Sequence, residues 1–170
     1  MSTPLSGPRD PSAPIRNHEP LRNWLRLLAC SSLIEGEVRR RLRREYGITL
    51  PRFDVLAQLD AAMRESVHGL TMSQLSRRLM VTNGNLTGLI ERLAQEGLVH
   101  RAASATDRRI QMVRLTTAGK DALDAMTPSH EAWIDSLFAG LTYDDHAQLH
   151  LLLGKLRGSI RTSLAGEPPS

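Results

Sequence analysis

Residues 70–115 read LTMSQLSRRLMVTNGNLTGLIERLAQEGLVHRAASATDRRIQMVRL, and the fold turns on them. They divide into a short helical run, a break, a longer helical run, and two strand-like segments around a small, polar, basic loop. In the longer run Leu86, Leu89, Ile90 and Leu93 recur at three- and four-residue spacing, which lays one apolar stripe along a helix. Asn83, Asn85, Thr87, Gly88 and Arg92 fall on the other side. Side chains that are small or rich in donors and acceptors are the kind that meet base edges in a major groove. Upstream, Met72, Leu75 and Leu79 form a shorter stripe behind Thr71 and Ser73, either of which can start a helix by accepting a bond from a free backbone N–H. Two short helices packed through such stripes make a helix-turn-helix.

The residues that follow predict a wing. Gly97 stands where the second helix needs a left-handed residue to stop. Residues 98–101 enter one strand, and residues 110–115 alternate Ile110, Met112 and Arg114 against Gln111, Val113 and Leu115. Between them AASATDRR is too small and polar to be core. Asp107 stands two residues before Arg109 and can hold that guanidinium extended through a salt bridge. An extended Arg at a hairpin tip suits the strong negative potential of a narrow minor groove.

The segment NLTGLIERLAQEGLVHRAASATDRRIQMVRLTTAGKDAL resembles the core of the multiple antibiotic resistance regulator (MarR) family. The resemblance lies in the recognition helix, the DRR wing, and the LT..G turn at Leu115, Thr116 and Gly119. It extends over residues 20–163. It implies a mainly α fold with a small antiparallel β-wing, a winged helix-turn-helix lobe joined to a helical dimerisation region. On this expectation Thr82, Asn83, Asn85 and Thr87 face bases, and Arg77, Arg78 and Arg92 neutralise phosphates. Arg109, oriented by Asp107 and aided by Arg108, probes the minor groove. Gly88 departs from the family pattern, where an Arg or other polar residue is frequent, so part of the direct readout is expected to fall to the Asn pair.

Composition sets outer bounds. The chain has 170 residues, 41% hydrophobic but 4% aromatic, so its core is built mainly of Leu, Ala, Val and Ile, as suits helices. A net charge of +4, carried mostly by Arg, suits phosphate backbones or other anions. A single cysteine, Cys30, excludes an intramolecular disulfide framework, and neither a membrane span nor a secretory signal is evident. A cytoplasmic location is the expectation.

Residues 1–20, dense in Pro, Ser and Gly, are expected to form a flexible arm in which Arg9 and Arg16 are candidate contacts to DNA phosphates or to a partner subunit. Residues 21–50 hold a long first helix whose end, EVRRRLRREYG, is strongly basic. Residues 51–115 form the DNA-binding lobe. It opens with a second helix behind Pro51, whose inner face is read as Phe53, Val55, Leu56, Leu59 and Met63. Residues 116–163 carry C-terminal helices, the first with a stripe of Ala118, Ala122, Leu123, Ala125 and Met126 and an expected kink or break at Pro128. Residues 164–170 are a flexible tail.

The terminal stripes, Leu21, Trp24, Leu25 and Leu28 at one end and Leu149, Leu152, Leu153, Leu156 and Ile160 at the other, need cover, from a second protomer or, as the alternative, from packing within the chain. In the family such ends interlock between protomers, which implies a homodimer reading a pseudo-palindromic site in double-stranded DNA. The resemblance also implies a small anionic effector, aromatic or acyl-CoA-like, bound between the dimerisation helices and the lobe. Cys30, Ile34, Phe53, Leu56 and His68 are its candidate lining, and Arg40 or Arg41 its anion contact. Cys30 also reads as a small core residue, with redox sensing the alternative. His146 and His150, at i and i+4, have the spacing of two metal ligands but lack an obvious third, so no metal and no cofactor is expected. There is no phosphate loop, nucleophile elbow or HExxH motif, which argues against an enzyme. The expected function is a ligand-released repressor. The alternatives are a constitutive architectural DNA binder and a helical protein-interaction module.

Overall fold

A computed structural model describes residues 18–65, 67, 69–103 and 110–165. The chain divides into two compact units, Met1–Glu37 and Val38–Ser170. What is described of the first unit is helical: α1 runs Glu19–Tyr46, so its first nineteen residues belong there and the rest to the second unit. The helix stops at Gly47, whose φ of 65° is left-handed and open to glycine without cost.

The second unit continues with α2 (Leu50–Arg64), β1 (Leu70–Thr71), α3 (Met72–Leu79), α4 (Asn83–Gln95), β2 (Val99–Ala103), β3 (Gln111–Leu115), α5 (Thr117–Phe138) and α6 (Tyr143–Ala165). The strands form one antiparallel sheet in the order β1-β3-β2. Leu70 pairs with Val113 on one side of β3, and Val99 with Leu115 through Ala103 with Gln111 on the other. This is the expected fold, mainly helical with a winged helix-turn-helix.

The lobe's core is aliphatic. Val55, Leu56 and Leu59 of α2, Leu70 of β1, Leu75 of α3, Leu86, Ile90 and Leu93 of α4 and Val113 of β3 are all buried, alongside Leu42 from the end of α1. Each such side chain contributes about 1.5–3 kcal/mol through removal from water.

Three readings change. On α2, Met63 is 49% exposed, while Asp60 and Ala62 take inner positions. Asp60 lies four residues after Leu56 and thus inside the buried arc of a 3.6-residue period. On α5, Ala118 and Ala125 are exposed, and the buried residues are Gly119, Leu123, Met126 and Trp133. Of the kink or break expected at Pro128, the break does not occur: α5 runs unbroken from Thr117 to Phe138. Around the missing N–H, the Thr127 hydroxyl donates to the Leu123 carbonyl at 2.9 Å, and the Tyr46 hydroxyl reaches Ser129 Oγ at 2.7 Å.

Candidate nucleic-acid interface

The helix-turn-helix consists of α3, a tight turn and α4. Thr71 caps α3 by a reciprocal pair: its Oγ1 accepts from the Gln74 backbone N–H at 3.1 Å, and Gln74 Oε1 accepts from the Thr71 N–H at 2.8 Å. Of the two caps the sequence offered, Thr71 is the one used. The turn is held by Ser76, whose hydroxyl donates to the Val81 carbonyl at 2.5 Å and whose carbonyl accepts from the Val81 N–H at 3.2 Å. Met80 takes the left-handed conformation there, φ 55°, with 93% of its surface exposed. Nothing in the sequence marked that residue, since a left-handed turn is ordinarily signalled by Gly or Asn.

With Leu86, Ile90 and Leu93 each at 0% exposure and Leu89 half-buried, the rotation of α4 is fixed. Gly84, Asn85, Thr87, Gly88, Glu91 and Arg92 are consequently presented to solvent. Thr82, at the N-cap position, makes no capping bond with its side chain and is exposed. Asn83 begins the helix, and its side chain lies outside what is described. Of the face read from the spacing, Asn85, Thr87, Gly88 and Arg92 are therefore at the surface.

Arginines flank it. Arg77, on α3, is exposed, and its Nε donates to the Ser73 carbonyl at 3.3 Å. Arg78 comes with a carboxylate already attached: its Nη2 donates to Glu65 Oε2 at 2.7 Å. An exposed pair of this kind is worth about 0–1 kcal/mol, so a phosphate can exchange with Glu65 at little cost. Arg92 is exposed on the last turns of α4. The sequence reading passed over Arg101, on β2, which lies 3.8 Å from Glu91 of α4 and adds a half-exposed cation between recognition helix and wing. Asp107, Arg108 and Arg109 lie outside the described residues; β2 and β3, which lead to and from them, are in place.

The root of the wing is a knot of short bonds. Thr116 Oγ1 donates to the carbonyls of Gly97 and Leu98, at 2.7 and 3.0 Å, and accepts from the Gly119 N–H at 3.0 Å as the cap of α5. Gly119 is obligatory, because a Cβ there would stand 2.0 Å from the Leu98 carbonyl oxygen. Beside it, Lys120 bonds Asp124 and reaches Asp60 of α2 at 3.5 Å, and Asp60 also pairs with Arg64. The Asp124 bond, with the nearby Asp60 charge, raises the Lys120 pKa.

The candidate effector residues fare unevenly. Leu56 is fully buried core and cannot line an open crevice, a correction forced by its position at the centre of the packed face of α2. His68 lies outside the described residues. Cys30 is exposed, not a core residue, and Ile34 is half-buried; both belong to the first unit. Arg40 is exposed. Phe53 and Arg41, by contrast, meet in one aromatic cluster. The Phe53 ring lies 4.8 Å from His130 and His130 lies 6.5 Å from Trp133, while Trp133 faces both Tyr46 at 6.2 Å and the Arg41 guanidinium at 5.9 Å. Burial lowers the His130 pKa, with Glu131 opposing. His130 and Trp133 were missed; their signal was the continuation of the Gly119, Leu123, Met126 stripe at four- and three-residue steps.

At the chain's ends the expected interface residues are open to solvent. Leu21, Trp24, Leu25 and Leu28 are 44–56% exposed. Leu152, Leu153, Leu156 and Ile160 are 41–59% exposed, and Leu149 is half-buried. His146 stacks on Phe138 at 6.0 Å, and no group of three or more potential metal ligands occurs among the described residues. Nor is any described helix long and apolar enough to cross a membrane.

Comparison with known proteins agrees with this geometry. Residues 46–110 match the model of the MarR family. The chain is 30% identical to the transcriptional activatory protein BadR of Rhodopseudomonas palustris, over 78% of this chain and 75% of that protein. It is 34% identical to the uncharacterised regulator YkoM of Bacillus subtilis over 49% of this chain, and there it spans about half, 54%, of the relative's length. Among solved structures, a MarR family regulator from Silicibacter pomeroyi superposes with a TM-score of 0.71 at 30% identity, covering 87% of this chain and 99% of the other. Sco3205 from Streptomyces coelicolor, solved in complex with DNA, gives 0.71 at 25% identity over 85% and 92%.

Proposed function

The chain belongs to the MarR family of DNA-binding transcriptional regulators, and on that premise we propose that it acts as a homodimer repressing from a pseudo-palindromic operator, released by a small anionic effector. The observation that carries the dimer is α6. Not one of its 23 residues is buried, although Leu151, Leu152, Leu153, Leu156, Ile160 and Leu164 are all large and apolar. Apolar surface on that scale marks an association site. A two-fold partner would cover it and bring a second α4 to the next major groove. In this reading Asn85, Thr82 and Thr87 meet base edges, Arg77, Arg78 and Arg92 meet phosphates, and the DRR tip enters the minor groove. A regulator of this kind would act in the cytoplasm.

For the effector, the aromatic cluster gives the chemistry. Half-buried Arg41 supplies a cation and His130 a donor at the edge of the packed Phe53 and Trp133 rings, which suits a small aromatic carboxylate or an acyl-CoA-like anion that opens this edge as it binds. Such a ligand changes DNA affinity only through unequal binding to the two lobe spacings of the dimer. The name of BadR favours a second reading, activation from an operator placed differently at the promoter. The test is light scattering on the purified chain followed by displacement of bound operator DNA with a panel of aromatic carboxylates. Twice the chain mass, and release by some members of the panel but not by aliphatic acids of equal charge, is expected. A monomer, or DNA binding indifferent to every compound, contradicts the proposal.

A further inference from the structure

We infer that Asp60 and Lys120 are positioning residues for the wing: their ion pair ties the root of the β2–β3 hairpin to α2 and so sets the angle at which the wing meets DNA. The inference rests on the DNA-binding reading and assigns a role to a buried carboxylate which that reading leaves unused.

Asp60 is 3% exposed, and a carboxylate so placed is costly unless paired. Its two partners do different things. Arg64 is on the same helix, four residues on, with its side chain 74% exposed; it neutralises Asp60 but joins nothing to α2. Lys120 is on α5, and its Nζ at 3.5 Å from Asp60 Oδ1 joins two elements, with Asp124 bonded to the same amine. Lys120 also follows directly on the tightest spot of the wing root. Within residues 116–119 the Thr116 hydroxyl holds the Gly97 and Leu98 carbonyls, the Thr116 N–H donates to Leu98 at 3.2 Å, and Gly119 touches the Leu98 carbonyl. Leu98 leads into β2, and Leu115 ends β3. Both legs of the hairpin thus end against the first turn of α5, and Lys120 fastens that turn to α2.

A small rotation at the root is amplified at the tip. Five residues of strand extend about 17 Å, so a tilt of about 10° at residues 98 and 115 carries the tip about 3 Å. That exceeds the tolerance of a hydrogen bond or of a guanidinium seated in a minor groove. Lys120 adds to the aliphatic packing a second tie between the wing root and α2.

The experiment is a double-mutant cycle on the full chain. Lys120→Met and Asp60→Asn are each combined with Arg109→Ala and titrated against a duplex recovered by selection from a random-sequence pool, with Lys120→Arg as the conservative control. Lys120→Met is expected to weaken binding about tenfold, equivalent to about 1.4 kcal/mol. Little further loss is expected once Arg109 is already Ala, and Lys120→Arg is expected to bind as the parent does. A merely structural role would lower thermal stability yet give equal losses in both backgrounds. Equal losses, or none, overturn the inference. If Asp60→Asn fails to fold, Lys120→Met, which leaves Asp60 its Arg64 partner, carries the test. A parent protein that selects no duplex at all overturns the DNA-binding reading itself, an outcome distinct from a parent that binds its site but shows no coupling.

Discussion

Asn85 and Arg92 both lie on the exposed face of α4, yet DNA is expected to register their loss differently. An amide that pairs with a base edge discriminates sequences; a guanidinium on a phosphate does not. Asn85→Ala is therefore predicted to cost about 1–3 kcal/mol of discrimination at one base pair and to leave the salt dependence alone. Arg92→Ala is predicted to weaken matched and mismatched duplexes alike and to flatten the slope of log K against log salt by about 0.9 per half-site, about 1.8 for the dimer. Binding isotherms on both duplexes across a salt series separate the two. His130 adds a pH-dependent prediction. Burial lowers its pKa below 6.5 in the folded chain, so the folded state favours the neutral ring. That contribution to stability is present above the unfolded value of about 6.5 and lost as pH falls through the folded pKa. The groups around the ring are Glu131 on its own helix, which opposes the shift, uncharged Phe53 from α2, and Trp133 with the Arg41 and Tyr46 that face it from α1. Between pH 7.5 and 5 the melting temperature is expected to drop by less in His130→Phe than in the parent. An identical drop would show that His130 takes no part.

At the scale of the element, α4 was legible because its buried stripe is uninterrupted: Leu86, Ile90 and Leu93 follow the helical period without a polar residue among them. The wing was legible from the turn residues and the alternation around Val113. Where polar or small residues take buried positions, the sequence misled. Asp60 and Gly119 sit on inner faces where Met63 and the alanines of α5 seemed better candidates, because an ion pair and a backbone contact decide those places, not hydrophobicity. The same close approach makes Gly119→Ala a sharp probe. A Cβ 2.0 Å from the Leu98 carbonyl forces the wing root apart, and urea unfolding is predicted to show a loss of about 1–3 kcal/mol. An unchanged midpoint would mean that α5 and β2 meet less tightly than described.

Across the whole molecule, periodicity told which faces are apolar but not what covers them. The stripe on α6 was readable as Leu149 to Ile160, yet only the structure shows that nothing in it is buried within one chain. The effector lining was the least legible part, because such a crevice draws single residues from separate helices and follows no period; Leu56 turned out to be core, whereas His130 and Trp133 joined Phe53 unannounced. Leu152→Glu together with Leu156→Glu, both at exposed positions, is predicted to leave a folded monomer by light scattering and circular dichroism, with operator affinity reduced by at least about a hundredfold as one half-site is lost. A dimer that survives both charges would place the interface elsewhere.

The most direct test of the central claim is selection of duplexes from a random pool by the purified 170-residue chain, followed by titration of the recovered sequence and a scrambled control at near-physiological salt. The account predicts a pseudo-palindrome with half-sites about one helical turn apart and a preference over the scrambled duplex on the order of a thousandfold. Recovery of no common sequence, with equal binding to both duplexes, would contradict it.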